Sequence, residues 1–100
     1  MVRHIVVWTL RDELNGMSKK QIAEKMKQDL ESLNGVISEI VKLEVGINCA
    51  YEGKNADVVL VGDFASMADL EVYANHPEHL KCVGFIKSAA LSRTAVDYEF

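Results

Sequence analysis

Tyr73-Ala-Asn-His76-Pro77-Glu78-His79 concentrates the reactive chemistry of this chain: a phenol and two of the three histidines stand around the only proline. Imidazole titrates closer to neutrality than any other side chain, so a histidine beside a helix start is a candidate for moving a proton at pH 7. His79 as a base needs an acidic C–H or O–H within hydrogen-bonding reach; Tyr73 supplies a donor or an orienting group. The competing reading makes His79 a ring bonded to backbone that fixes the loop. His4 alternates with Val6 and Trp8. A lone imidazole there fits a core histidine with its bonds satisfied or a polar group on a pocket wall. Trp8 likewise fits packing or stacking on a flat ligand.

Other chemistries find less support. His76-x-x-His79 with His4 would bring three nitrogens together, but Pro77 favours a first helical position. That places His76 at the cap instead of inside the helix and breaks a three-ligand geometry, so no metal site is expected. Asp57, Asp63 and Asp97 fall on different segments and form no carboxylate pair for hydrolysis. Cys49 and Cys82 have neither C-x-x-C spacing nor a neighbour that lowers a thiol pKa, and read as small packing residues in a reducing cytosol.

The elements that must position these groups are legible. Arg3 to Leu10 is rich in Val and Ile and suits a strand. Ser18-Lys-Lys-Gln21 fits a capping box, and Ile22, Met26, Leu30 and Leu33 then recur at helical spacing up to a stop at Asn34-Gly35. From Ile37 to Asn48, Val41, Leu43, Val45 and Ile47 alternate with polar residues and glycine. Glu52-Gly-Lys-Asn55 reads as a hairpin tip, and Asp57 to Phe64 as a Val/Leu-rich strand. Ser66 opens a second helix with Leu70, Tyr73 and Ala74 on its inner side. His76 caps a third, carrying His79, Leu80, Val83 and Ile86, and Ser92 to Phe100 closes as a strand.

The order β-α-β-β-α-α-β predicts a ferredoxin-like α+β fold, an antiparallel sheet with helices on one face, over a single domain of residues 1–100. Its first and third strands are apolar on both faces, which would leave a large hydrophobic patch on the side without helices. A second copy packed sheet to sheet covers it, so a homodimer is expected. Net charge is −4 with the signs interspersed, which gives nucleic acid no basic stripe to bind. The apolar run Ile5–Leu10 is too short to cross a bilayer and lacks a cleavage signal, so no membrane contact and a cytoplasmic location are expected.

Five segments together resemble the Dabb family, the stress-responsive dimeric α/β-barrel domains. They are Val2-Arg3-His4-Ile5-Val6-Val7-Trp8, Leu43-Glu44-Val45-Gly46-Ile47-Asn48, Ala56-Asp57-Val58-Val59-Leu60-Val61, Tyr73-Ala-Asn-His76-Pro77-Glu78-His79-Leu80 and Val96-Asp97-Tyr98. The resemblance implies a dimeric α/β barrel and, through its cyclase members, a cofactor-free pocket between helices and sheet for a small apolar carbonyl compound. It assigns His79 as general base, Tyr73 as hydrogen-bond donor and His4 as supporting polar group, and aligns Met26 and Val58 with pocket positions; Trp8 and His76, by their own places in the chain, are expected around the same pocket. Cyclase-type members carry further polar groups where this chain has Met26 or Lys27 and Val58. Two functions follow: a cofactor-free cyclase, isomerase or lyase, or a non-catalytic stress-associated dimer that binds a ligand or serves as a scaffold.

Overall fold

The computed structural model describes residues 1–100. The chain runs β1 (Val2–Leu10), β2 (Glu13–Leu14), β3 (Met17–Ser18), α1 (Lys19–Glu31), β4 (Ile40–Ile47), β5 (Val58–Phe64), α2 (Met67–Asn75), α3 (Pro77–Ala89) and β6 (Ala90–Glu99). Strands β4-β5-β1-β6 form one antiparallel sheet in that order, and the helices lie on one of its faces. This is a ferredoxin-like α+β fold. The hairpin β2–β3 is additional to the expected order. Asn15 and Gly16 both take positive φ (51° and 82°), as a tight hairpin turn requires.

Local chemistry sets the helix starts. Ser18 Oγ accepts the Gln21 amide proton at 3.2 Å, and Gln21 Oε1 accepts that of Ser18 at 2.9 Å. Ser66 caps α2 through the Asp69 amide at 3.2 Å. From α1, Ile22, Ala23, Met26 and Leu30 face the core, where they meet Val6, Leu43, Val45, Leu60, Phe64 and Tyr73. Regular helix ends at Glu31, ahead of the expected stop, and Gly35 makes the reversal at φ 79°. Asn34 does a different job. Its amide donates to the Leu43 carbonyl at 2.9 Å and accepts the Leu43 amide at 3.1 Å, while Glu31 accepts the Val45 amide at 3.0 Å. These side chains occupy the free edge of β4 and block pairing with a foreign strand.

β4 begins at Ile40, not Ile37, and an irregularity between Ile40 and Lys42 turns Val41 to solvent, so Val41 leaves the row that Leu43 and Val45 keep in the core. On the face without helices, Ile5 lies between Val61 and Val96, and Val7 between Val59 and Thr94. Arg3 and Asp63 pair beside them at 2.8 Å. This apolar centre is only half-buried in one chain, and Val96 is 54 % exposed.

Candidate functional site

A cavity of about 470 Å³ lies between α2, α3 and the helix-side face of β1, β5 and β6. Tyr73 forms its floor: the residue is buried, and its ring packs on Phe64 at 5.1 Å between centroids. The Tyr73 hydroxyl makes no hydrogen bond to the protein and is not among the fully sealed polar atoms, and the residue lines the cavity. His79, one turn into α3, lies over the same ring at 4.4 Å and a 39° tilt. His4 reaches in from β1 with its ring centroid 6.4 Å from that of Tyr73.

Each histidine has its protonation geometry dictated by its neighbour. His79 Nδ1 lies 3.0 Å from the Ala74 carbonyl, which can only accept. Nδ1 therefore carries the proton, and in the neutral ring the lone pair sits on Nε2. His4 Nδ1 meets the Asp97 carboxylate, which by the same reasoning makes it the donor and leaves Nε2 facing away from the pair. His76 is the reverse case. Its Nδ1 accepts the Glu78 amide proton at 3.1 Å, the capping role expected of it. Protonating that nitrogen would break the cap, so His76 is committed to structure.

The surroundings tune the two aromatic partners differently. Burial pushes the His79 imidazole below its ordinary value, the Ala74 carbonyl opposes this, and the charges of His4, Arg93 and His76 lower it further. His79 is thus neutral and basic at pH 7. Burial pushes the Tyr73 phenol well above its ordinary range, so it stays a proton donor. Cys82, beside them on α3, is likewise pushed up by burial and holds its thiol near the Glu78 carbonyl at 3.7 Å, while Cys49 is exposed.

His4, Tyr73, His79 and Trp8 all line the cavity. Met26, Val58 and His76, expected around it, do not. Met26 faces the core from the sheet-packed side of α1, Val58 fills the start of β5, and His76 points back to its cap. Two wall residues that sequence reasoning passed over are Asp97, the partner of His4, and Arg93. The strand alternation already put both on the face of Ala95. Only the pairing of β6 with β1 places them opposite His4 and Trp8. No three His, Cys, Asp or Glu side chains gather into a metal-holding group.

Fold and site together define a ferredoxin-like α+β domain with an imidazole–phenol cluster in a cavity between helices and sheet. Residues 2–100 match the stress responsive A/B barrel domain, and the chain belongs to that family. A dimeric ferredoxin-like protein of unknown function from Bacteroides fragilis is similar at 36% identity, over 99% of this chain and 95% of that one, with a TM-score of 0.87. Another from Thermobifida fusca is similar at 22% identity over 99% and 90%, TM-score 0.84. The hydroxynitrile lyase of Passiflora edulis shares the fold at 18% identity over 97% and 90%, TM-score 0.79. No curated protein matches the chain in sequence.

Proposed function

We propose that this chain is a cofactor-free cyclase, isomerase or lyase acting on a small carbonyl compound in the cavity, with His79 as general base. The observation that carries this reading is the Nδ1–H bond of His79 to Ala74, which leaves the Nε2 lone pair free on a ring stacked 4.4 Å from that of Tyr73 in the cavity wall. Nε2 takes a proton from the carbon next to the carbonyl, and the C–H electron pair moves into an enolate. Tyr73 O–H donates to the enolate oxygen, and His4, held by Asp97, supplies a second polar group. The imidazolium then returns its proton to another carbon or to a leaving group. The fold likeness to a hydroxynitrile lyase is compatible with such proton chemistry without specifying it.

The working unit in this reading is a homodimer joined through the half-buried face around Ile5, Val7, Val59, Val61 and Val96. The relatives from Bacteroides fragilis and Thermobifida fusca, described as dimeric, support it. The test uses phenylacetone in D2O, following loss of its α-proton signals by NMR. The wild-type protein should accelerate exchange, His79→Gln should abolish the acceleration with fold retained by circular dichroism, and Tyr73→Phe should lower it about 100-fold. Exchange undiminished in His79→Gln removes the base. The mostly apolar wall, including Leu30, Leu60 and Val83, favours a second reading, a ligand-binding or scaffold dimer. Binding without exchange would select it.

A further inference from the structure

The three arginines differ in one respect. Arg3 pairs with Asp63 at 2.8 Å, and Arg11 donates to the Ser88 carbonyl at 2.9 Å. Arg93 has no acidic partner and no hydrogen bond, yet its side chain lines the cavity, and Lys87 at the end of α3 lines it too without an acidic partner. In a chain of net charge −4, the two cations also line an adjoining hollow that no acidic residue lines, a local reversal of sign. Two carboxylates also face the cavity. Asp97 is taken by His4, and Glu71 stands on α2, the opposite wall from β6.

The register separates the cavity into two ends. Asp97 pairs with His4, and Arg93 pairs with Trp8, four residues along both strands, which is roughly 13 Å of backbone. A second hollow of about 230 Å³ adjoins the Arg93 end and shares Trp8, Ile86, Lys87 and Arg93 with the cavity wall. Trp8 is nearly buried and contributes to the apolar wall of both hollows beside the cations. The charge of Arg93 nevertheless reaches the other end, where it acts on both Tyr73 and His79. A guanidinium is the side chain best shaped to grip a carboxylate through two parallel hydrogen bonds.

Resting on the reading that this cavity takes a small molecule, we propose that its ligand is an oxo acid with an apolar body. Its carboxylate is held by Arg93 with Lys87 beside it, its body lies along the apolar wall that includes Trp8, Val83 and Ile86, and its carbonyl end reaches Tyr73 and His79. The anionic group is then the address, and the far end is where protons move.

Two dyes that differ by one sulfonate isolate the anion contribution: 8-anilinonaphthalene-1-sulfonate and the neutral N-phenyl-1-naphthylamine. Dye emission on titration gives each affinity, and the single tryptophan gives the location, because its one indole N–H resonance must move when the cavity fills. The wild-type protein should prefer the sulfonate dye, and Arg93→Gln should cut that preference about tenfold while leaving the neutral dye's affinity within twofold. Arg93→Lys should restore part of it. Equal loss of both dyes, an unchanged preference, or sulfonate binding that leaves the Trp8 resonance unmoved would each overturn the proposal. Neither dye exchanges a proton, so the result stands apart from the phenylacetone assay. Sulfonate preference without exchange keeps the anion site and removes the base; exchange without sulfonate preference does the reverse.

Discussion

Asp57 is the buried carboxylate on which the end of β1 depends, and replacing it gives a stability change with a calculable size. Its Oδ2 accepts the Leu10 amide proton at 2.8 Å, its Oδ1 lies 3.5 Å from Lys19 Nζ, and its own amide donates to the Trp8 carbonyl at 2.8 Å. Leu10 is 1 % exposed, so its amide depends on that acceptor. Asp57→Ala strands that amide at roughly 1–3 kcal/mol and removes the Lys19 pair, worth about 0–1 kcal/mol because the lysine is partly solvated. Asp57→Asn keeps a carbonyl for Leu10 and loses only the pair. The expected costs are therefore about 2–3 kcal/mol for Ala and about 1 kcal/mol for Asn. With a urea slope of about 1–3 kcal/mol per molar, Ala should lower the midpoint by about 1–2 M and Asn by half a molar or so. Trp8, adjacent in the same network, reports the transition by fluorescence at one fixed protein concentration, since the midpoint of the proposed dimer would depend on it. If Asn costs as much as Ala, the charge and not the acceptor holds this corner, and the accounting is wrong.

Burial depresses the His79 pKa below 6.5, so the unfolded chain takes the proton first on acidification. Stability should be complete above pH 6.5 and fall as pH drops through 6.5 toward the folded value, and His79→Gln should flatten that slope; an NMR titration midpoint above 6.5 would contradict the sign. Ile5→Glu puts a carboxylate at the centre of the half-buried face, in the row that already holds Glu44, and a two-fold interface would bury it twice. Light scattering should show monomers with unchanged circular dichroism, and a persistent dimer would move the interface elsewhere. Ser18→Ala removes the acceptor for the Gln21 amide and should cost about 1 kcal/mol in a urea melt, whereas no loss would mean that α1 does not need its box.

What could be read in the residues was whatever has a local cause. The capping box, the Ser66 and His76 caps and the buried stripe of α1 each follow from side chains within a few positions of one another, and each is where the spacing put it. Two features escaped for opposite reasons. The β2–β3 strands are two residues long, too short to show a period, although Asn15-Gly16 was a hairpin signal in plain view. Val41 kept perfect alternation with Leu43 and Val45, but an irregular pairing with β5 turned it outward, and no pattern within β4 records that. Met26 and Val58 show the limit of placing a pocket by resemblance. An inward-facing residue is equally consistent with a packed core and a cavity wall, and here the core claims both.

The site itself depended on one non-local quantity, the offset between β1 and β6. A slip of two residues leaves every side chain on its own face, so periodicity cannot distinguish one such register from the next. It would set His4 against Ala95 or Glu99 in place of Asp97, and Trp8 against Leu91 or Ala95 in place of Arg93. The observed offset is pinned at both ends of the pair. The Phe100 amide donates to the Met1 carbonyl at 3.0 Å, the Arg3 guanidinium lies 4.4 Å over the Phe100 ring, and the Arg11 amide donates to the Ala89 carbonyl at 2.9 Å where α3 feeds β6. His4 gains its carboxylate, and Trp8 its neighbouring guanidinium, from contacts made at the two ends of the strands and not from anything beside them in the chain.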